Sequence, residues 1–442
     1  MGNLTTPGSV QKLQTALHAK AKAEPDFRFY LLYDKVYRAD ILAYAYVCCK
    51  ANKGAAGVDG QTFADIEAYG VERWLGELAR AIKEEDYRPE AVRRVMIPKP
   101  NGKLRPLGIP TLRDRVCQMA VMLVLEPIFE ADLPTEQYAY RAGKDARSAV
   151  MEVHRLLNTG HRDVVDADLS GYFDSIPHAE LLRSVARRVV DRRLLHLVKM
   201  WLKVPVEEAD ERGKKRRTTR NRDEKRGTPQ GSPISPLLAN VYMRRFILGW
   251  KKWGLEKRYG ARIVNYADDL VICCKHGAKQ ALEAMSRLME RLKLTVNEEK
   301  TRHCRAPEEE FNFLGYTFGR GYSPKTGRAY LGTRPSKKSI GRLIEAIRAE
   351  TGRGTFQLEV TEMVAGINRK LIGWANYFCL GPVSKAYRAI DAYTVERLRQ
   401  WLCGKHRRSG KGTECYSYPY LYEDLGLVRL LMRTQSLPWA KA

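Results

Sequence analysis

The sequence predicts an α+β fold that passes into an all-helical segment. Three observations carry this. Apolar residues alternate with a period of two along 92–109. Two short apolar segments carry carboxylates: "VVDADLSGYF" (164–173) reads as a strand ending in them, and "RIVNYADDLVICC" (262–274) as strand, two-residue corner and strand with them at the tip. Beyond Pro335 helical spacing takes over: Ile340, Leu343, Ile344 and Ile347, then Met363, Ile367, Leu371 and Trp374, then Ile390, Leu398 and Trp401.

Taken in order, residues 1–35 read as weakly structured at first, then helical. "DKVYRADILAYAYVCCKA" is an apolar-rich helix, stopped by the glycines of "NKGAAGVDG" (52–60). Helix returns over 62–85, with Trp74, Leu75, Leu78 and Ile82 on one face. Val92, Val95 and Ile97 precede a Pro-Asn-Gly turn, and Leu104, Leu107 and Ile109 follow it, as in a hairpin. "RDRVCQMAVMLVLEPIFE" is a buried helix, and 176–202 supplies two more. Residues 212–226 hold nine basic and two acidic residues without apolar periodicity, so they read as an exposed basic loop. Ser235 and Pro236 open the next helix as N-cap and first helical residue. Residues 321–335 read as a linker into the helical segment, which holds 18 basic and 9 acidic residues from Ser336 onward.

A 442-residue chain with 44% hydrophobic residues supports a sizeable core. Its 77 Lys and Arg against 51 Asp and Glu leave a net charge of +26, which selects for anionic partners, nucleic acid above all. The longest mainly apolar run, Val116 to Leu125, is too short to span a bilayer, and the N-terminal sequence has no secretory pattern. No membrane partner and a cytoplasmic location are therefore expected. The nine Cys, none in a C-x-x-C pair, read as buried reduced thiols.

The adjacent Asp268 and Asp269 are costly between apolar runs unless something positive sits on them. They fall at the tip of a strand–corner–strand unit. Asp168 ends another strand, with Asp166 deeper on the same face. If the two segments are neighbours in one sheet, these carboxylates converge. Two Mg²⁺ ions about 4 Å apart would then offset their repulsion. Such a site suits in-line phosphoryl transfer onto a 3′-hydroxyl, with pyrophosphate leaving. Lys99 and Arg105, on opposite arms of the hairpin, form a cationic pair able to close on a triphosphate.

"YADD" (266–269), "DADLSGYFDSI" (166–176) and "GTPQGSPISPLLANVYM" (227–243) together resemble a reverse transcriptase. The last is particularly similar to group II intron-encoded proteins. "IPKPNGKLRPLGIPTLRDRVCQMA" (97–120), "YAYRAGKDARSA" (138–149), "LKLTVNEEKT" (292–301) and "FNFLGYTF" (311–318) follow the family in order, and "NKGAAGVDG" resembles its N-terminal extension. The resemblance implies a right-hand polymerase: fingers and palm of mixed α and β structure, then an all-α thumb. Its expected divisions are an N-terminal segment (1–35), extension and fingers (36–160), palm (161–320), linker (321–335), helical thumb and maturase region (336–405) and tail (406–442). It implies that Asp168, Asp268 and Asp269 are catalytic and bind the metals, and that Asp174 is structural, as a helix cap. Phe173 would exclude a ribose 2′-hydroxyl. Lys99, Arg105, Gln230 and Lys300 would contact the incoming nucleotide. Arg141 would hold template backbone, and Leu314 and Gly315 would approach the primer end.

The implied function is an RNA-directed DNA polymerase and maturase. Its partners would be group II intron RNA, a DNA target and primer, and deoxynucleoside triphosphates. Two other readings stay open: a splicing cofactor with little polymerase activity, and a domesticated reverse transcriptase in a defence or CRISPR-associated system. Cys403, His406 and Cys415 lack the paired spacing of a zinc site, so no endonuclease is expected in this chain.

Overall fold

The alternation along 92–109 builds a hairpin, with β1 (Val92–Pro98) antiparallel to β2 (Leu104–Ile109) and Val95 opposite Leu107. The structure, a computed structural model, describes residues 4–98, 104–209, 214–323, 326–410, 412–434 and 440–441. Lys99 and the Pro-Asn-Gly turn lie outside the described residues. The strands that follow are β3 (Asp163–Asp168), β4 (Val206–Ala209), β5 (Lys215–Thr218), β6 (Arg262–Tyr266) and β7 (Asp269–Cys274). After them come β8 (Arg302–Arg305), β9 (Phe311–Phe313), β10 (Tyr316–Tyr322) and β11 (Ala329–Pro335).

The central sheet has the order β6-β7-β3-β8. It is covered on both faces, which is why "LVICC" reads as an unbroken apolar run. Val165, Ala167, Leu270 and Ile272 join the largest core, built with the helices Leu112–Glu130, Ser235–Lys252 and Ala278–Arg291. Val164, Val271 and Cys273 face the other way, onto the helix Ala146–Asn158 and onto Phe311 and Phe318 of the three-stranded sheet β11-β10-β9. β1 and β2 extend through β4 and β5 into a separate sheet, ordered β2-β1-β4-β5.

The C-terminal helices Lys337–Glu350, Val360–Tyr377 and Ser384–Lys405 surround their own core of Leu343, Ile347, Ile367, Leu371, Leu398 and Trp401. Leu421 and Leu430 of the tail enter the same core. Ser336 caps the first of these helices, accepting from the Ser339 amide at 3.1 Å.

After residues 4–7, which hold no regular structure, the helix expected near the N-terminus runs Gly8–Ala23; its Val10, Leu17 and Ala21 are buried, and Gln14 Nε2 donates to the Leu123 carbonyl at 3.0 Å. Several expectations need correction. Gly70, at φ 105°, splits the helix expected over 62–85. The stretch 321–335 is not a bare linker, since β10 runs into it and β11 ends it. Much of the basic loop is also ordered, as β5 and the short helix Arg220–Asp223. The cysteines are unpaired, and all but Cys415 are buried. Among the described residues, no helix is long and apolar enough to cross a membrane.

Candidate active site

A two-residue corner, Ala267–Asp268, joins β6 to β7, and Tyr266 faces Asp269 across it. Ala267 stands at φ 57°, a left-handed conformation that costs a residue with a Cβ roughly 1–2 kcal/mol. Buried Asn265 stabilises the corner from beneath. Its Nδ2 donates to the Ala267 carbonyl at 2.9 Å and to the Asp269 carbonyl at 3.3 Å. Asn265 was missed in the sequence, where it reads as one more strand residue.

β3 ends against this corner. Asp168 lies directly opposite Asp269, and the Leu169 amide donates to the Asp268 carbonyl at 3.3 Å. Facing residues of an antiparallel pair have Cβ atoms about 5 Å apart and project to the same side. The fold thus brings Asp168, Asp268 and Asp269 together, with Asp268 exposed and the other two half-buried. Burial, then the charges of Asp268, Asp168 and Asp166, push the Asp269 pKa up to about 7. Asp166, further back on the same face, is raised to about 6 by burial, with Arg302 opposing the shift.

The turn 297–301 supplies a countercharge. The Asn297 amide donates to the Asp168 carbonyl at 2.8 Å, and the Asp168 amide donates to Thr301 Oγ1 at 3.3 Å. So held, Lys300 Nζ reaches Asp168 Oδ2 at 2.8 Å, with Asn297 Nδ2 at 3.3 Å from the same oxygen. Among the described residues, no three His, Cys, Asp or Glu side chains form a preassembled metal cage.

The "TPQG" loop packs on the segment that follows β3. The Thr228 amide donates to the Phe173 carbonyl at 2.7 Å, and the Gly227 amide to the Ile176 carbonyl at 2.8 Å. The Gln230 carbonyl accepts from the Gly108 amide at 2.6 Å, which lays the loop on β2. Gly231, at φ 109°, permits that approach, since a Cβ there would collide with the Gly108 carbonyl oxygen. A polar chain follows: Arg105 Nε donates to Gln230 Oε1 at 3.1 Å, and Gln230 Nε2 donates to Asp174 Oδ2 at 2.9 Å. Asp174 is therefore a loop anchor. It lies within the short helix Tyr172–Ser175 and caps no helix.

Phe173 is buried, edge-on to Tyr172 at 5.8 Å and to Tyr140 at 6.4 Å between ring centroids. Tyr140 is a second residue missed in the sequence. It is 50% exposed at φ 57°, and partial burial followed by the Asp268 charge pushes its pKa up.

Arg141 departs from expectation. Its side chain is buried, Nε bonds the Glu130 carboxylate at 3.0 Å, and Nη1 donates to the Gln137 carbonyl at 3.0 Å. Further bonds go to the Pro134 and Leu133 carbonyls, so the guanidinium is engaged within the protein. Leu314 and Gly315 form the β9–β10 turn at φ 48° and 83°. The Gly315 carbonyl accepts from the Ser336 amide and from Ser339 Oγ, each at 2.9 Å, and the Leu314 carbonyl from Tyr377 Oη at 2.8 Å.

Residues 97–318 match the family model described as reverse transcriptase (RNA-dependent DNA polymerase), and residues 340–418 match the maturase-specific domain of group II introns. Protein YkfC of Escherichia coli (strain K12) is 31% identical over 369 residues, covering 75% of this chain and 93% of that protein. The group II intron-encoded protein LtrA of Lactococcus lactis subsp. cremoris is 32% identical over 227 residues, 50% of this chain and 36% of its own. The putative COX1/OXI3 intron 1 protein of Saccharomyces cerevisiae is 25% identical over 327 residues, 63% of this chain and 38% of its own. The chain thus spans well under half the length of those last two relatives. With a family model over half its length and a near full-length relative above 30% identity, the chain belongs to the reverse transcriptases, RNA-dependent DNA polymerases, and carries a group II intron maturase-specific domain.

Proposed function

We propose that the chain copies group II intron RNA into DNA by two-metal phosphoryl transfer at the Asp168–Asp268 corner. It also binds that RNA to assist its splicing and retrohoming. In this reading the β2-β1-β4-β5 sheet and the N-terminal helices are fingers, the central sheet is palm, and the helices from Lys337 onward are thumb. The observation that carries the reading is the register placing Asp168 opposite Asp269 beside the Asp268 turn. The maturase-specific match over 340–418 supports intron RNA as the partner.

The donor set suits Mg²⁺, which takes one or two carboxylates and completes its shell with water and substrate phosphate oxygens. That accounts for a site with three neighbouring carboxylates and no closed protein cage. Asp168, Asp268 and Asp269 would hold the pair of ions, which supply an activated 3′-hydroxyl and neutralise charge on the triphosphate. Asp269, raised to about 7 by burial and neighbouring charge, would give up its proton as the ions bind.

The remaining roles belong to the chain itself. Lys300, now paired with Asp168, is 63% exposed and free to follow the leaving pyrophosphate. Exposed ion pairs add little stability, so Lys300→Gln should leave the melting temperature unchanged while slowing extension about tenfold or more. A parallel fall in both would make Lys300 structural. Arg105 and Gln230 line the nucleotide approach; Lys99, the expected partner of Arg105 on the triphosphate, lies outside the described residues. Leu314 and Gly315 would flank the primer end.

Phe173, fixed by Tyr172 and Thr228, presents a flat apolar wall with no partner for a 2′-hydroxyl. Primer extension on RNA with deoxynucleotides, then ribonucleotides, tests the whole reading. The wild type should extend only with deoxynucleotides. Phe173→Val should narrow that preference about 100-fold, with a stability loss of roughly 2 kcal/mol from the smaller ring volume. An unchanged preference would remove Phe173 from the site.

A further inference from the structure

We propose a second anion site, remote from the carboxylate corner, in which arginines from two helices bind a phosphate-bearing nucleotide unit. The site is a cavity of about 380 Å³ bordered by Arg183, Arg187, Arg188, Arg244, Arg245 and Asp132. Arg183 and Arg187 come from the helix His178–Ala186 and its C-cap, and Arg244 and Arg245 from the helix Ser235–Lys252. None of the corner carboxylates lines it. Ser235 is tied to the catalytic loop through the Pro229 carbonyl at 2.9 Å, and Arg244 stands roughly 14 Å further along that helix.

The charges do not balance locally. Asp132 is the single carboxylate among five guanidinium groups lining the cavity. Arg188 is committed to the protein: it is 3% exposed, donates to the Ala21, Glu24 and Phe27 carbonyls, and pairs with Asp132 at 3.3 Å. Arg244 Nε donates to the Asp132 carbonyl at 2.9 Å, and Arg245 Nη1 to the Glu180 carbonyl at 3.2 Å. Arg183 and Arg187 are exposed and have no hydrogen-bond or ion-pair partner among the described residues.

Like charges four residues apart on a helix repel, and a third and fourth cation face them from the neighbouring helix. Burial, then the charge of Arg187, hold the Arg244 pKa down. A fold tolerates such crowding most readily where an anion relieves it. Guanidinium forks match phosphate oxygens two at a time, which makes phosphate the favoured anion. Phe129, Val241 and Leu248 give the cavity an apolar wall suited to a sugar or base beside that phosphate.

The test uses the full chain in EDTA, where the catalytic carboxylates cannot hold phosphate through a metal. Inorganic pyrophosphate and a five-nucleotide single-stranded RNA are titrated calorimetrically in separate arms. The comparison is between wild type, Arg183→Gln/Arg187→Gln, and a charge-matched control, Lys12→Gln/Lys279→Gln. The arginine variant should bind about tenfold more weakly or worse, the loss of a charged hydrogen bond, while the control matches wild type. Weakening in both arms identifies a site open to free phosphate, and weakening with RNA alone identifies a strand phosphate. Equal weakening in variant and control, or none, overturns the site. Because neither guanidinium has a hydrogen-bond or ion-pair partner among the described residues, the variant should melt no lower than wild type. A measurement on unaltered protein guards against misfolding: pyrophosphate or the RNA should shield Arg183 and Arg187 from phenylglyoxal, read by mass spectrometry. Full modification in the presence of both probes also overturns the proposal.

Discussion

Asp168→Asn will reduce primer extension on an RNA template by on the order of 10³-fold or more, with no loss of thermal stability. The substitution keeps the shape of the side chain and an acceptor for Lys300 while removing the charge. Asp269 carries a pKa near 7 because it is buried beside other carboxylates, Asp168 among them. Removing one charge therefore relieves repulsion in the folded state, and the melting temperature should hold or rise. Activity and stability moving in opposite directions mark a site strained for function. Asp268→Asn should behave alike, since its side chain is exposed at the corner and makes no hydrogen bond or ion pair among the described residues. Synthesis at the wild-type rate in either variant would leave the metals without ligands.

Gly231→Ala should be nearly as damaging, through the backbone. An added methyl must displace either the "TPQG" loop or β2, because it meets the Gly108 carbonyl oxygen and sits at φ 109°. The loop would lift, breaking the Gly108–Gln230 bond and scattering the chain Arg105–Gln230–Asp174. Strain of this kind costs roughly 2–4 kcal/mol, and extension should fall about 100-fold as the nucleotide loses its platform. Urea denaturation and single-turnover extension read the two effects separately. Full activity with normal stability would mean that the loop accommodates a Cβ, and that its close seat on β2 is not required.

Much of the arrangement was legible because burial leaves plain marks. β7 is covered on both faces and so reads as "LVICC", and its partner β3 reads as "VVDADL" for the same reason. A two-residue corner between such strands left Asp268 only one place to stand. Other features depend on contacts the sequence does not announce. Arg141 sits in a polar turn and reads as a phosphate clamp, but Glu130, at the end of the preceding helix, takes its guanidinium instead. Asn265 becomes a corner brace only once β6 and β7 have folded together. The stretch 321–335 reads as a linker because helical spacing takes over directly beyond it. In the fold Gly319 and Gly321 lie in β10, where they leave room for Glu310 and for the Tyr330 ring. The helix Gly8–Ala23 keeps helical spacing at Val10, Leu17 and Ala21, while its frequent Lys and Gln left its bounds indistinct.

The β9–β10 turn has a mechanical consequence. Leu314 and Gly315 belong to a hairpin rooted in the sheet layers, yet their carbonyls are gripped by Ser336, Ser339 and Tyr377 of the C-terminal helices. A tilt of those helices must drag the turn along or tear three bonds. The two parts are thus geared together at this turn, alongside the Leu380 amide donating to Tyr316 Oη at 3.4 Å and Phe378 packing on the Tyr316 ring, so a tilt on one side is carried to the other.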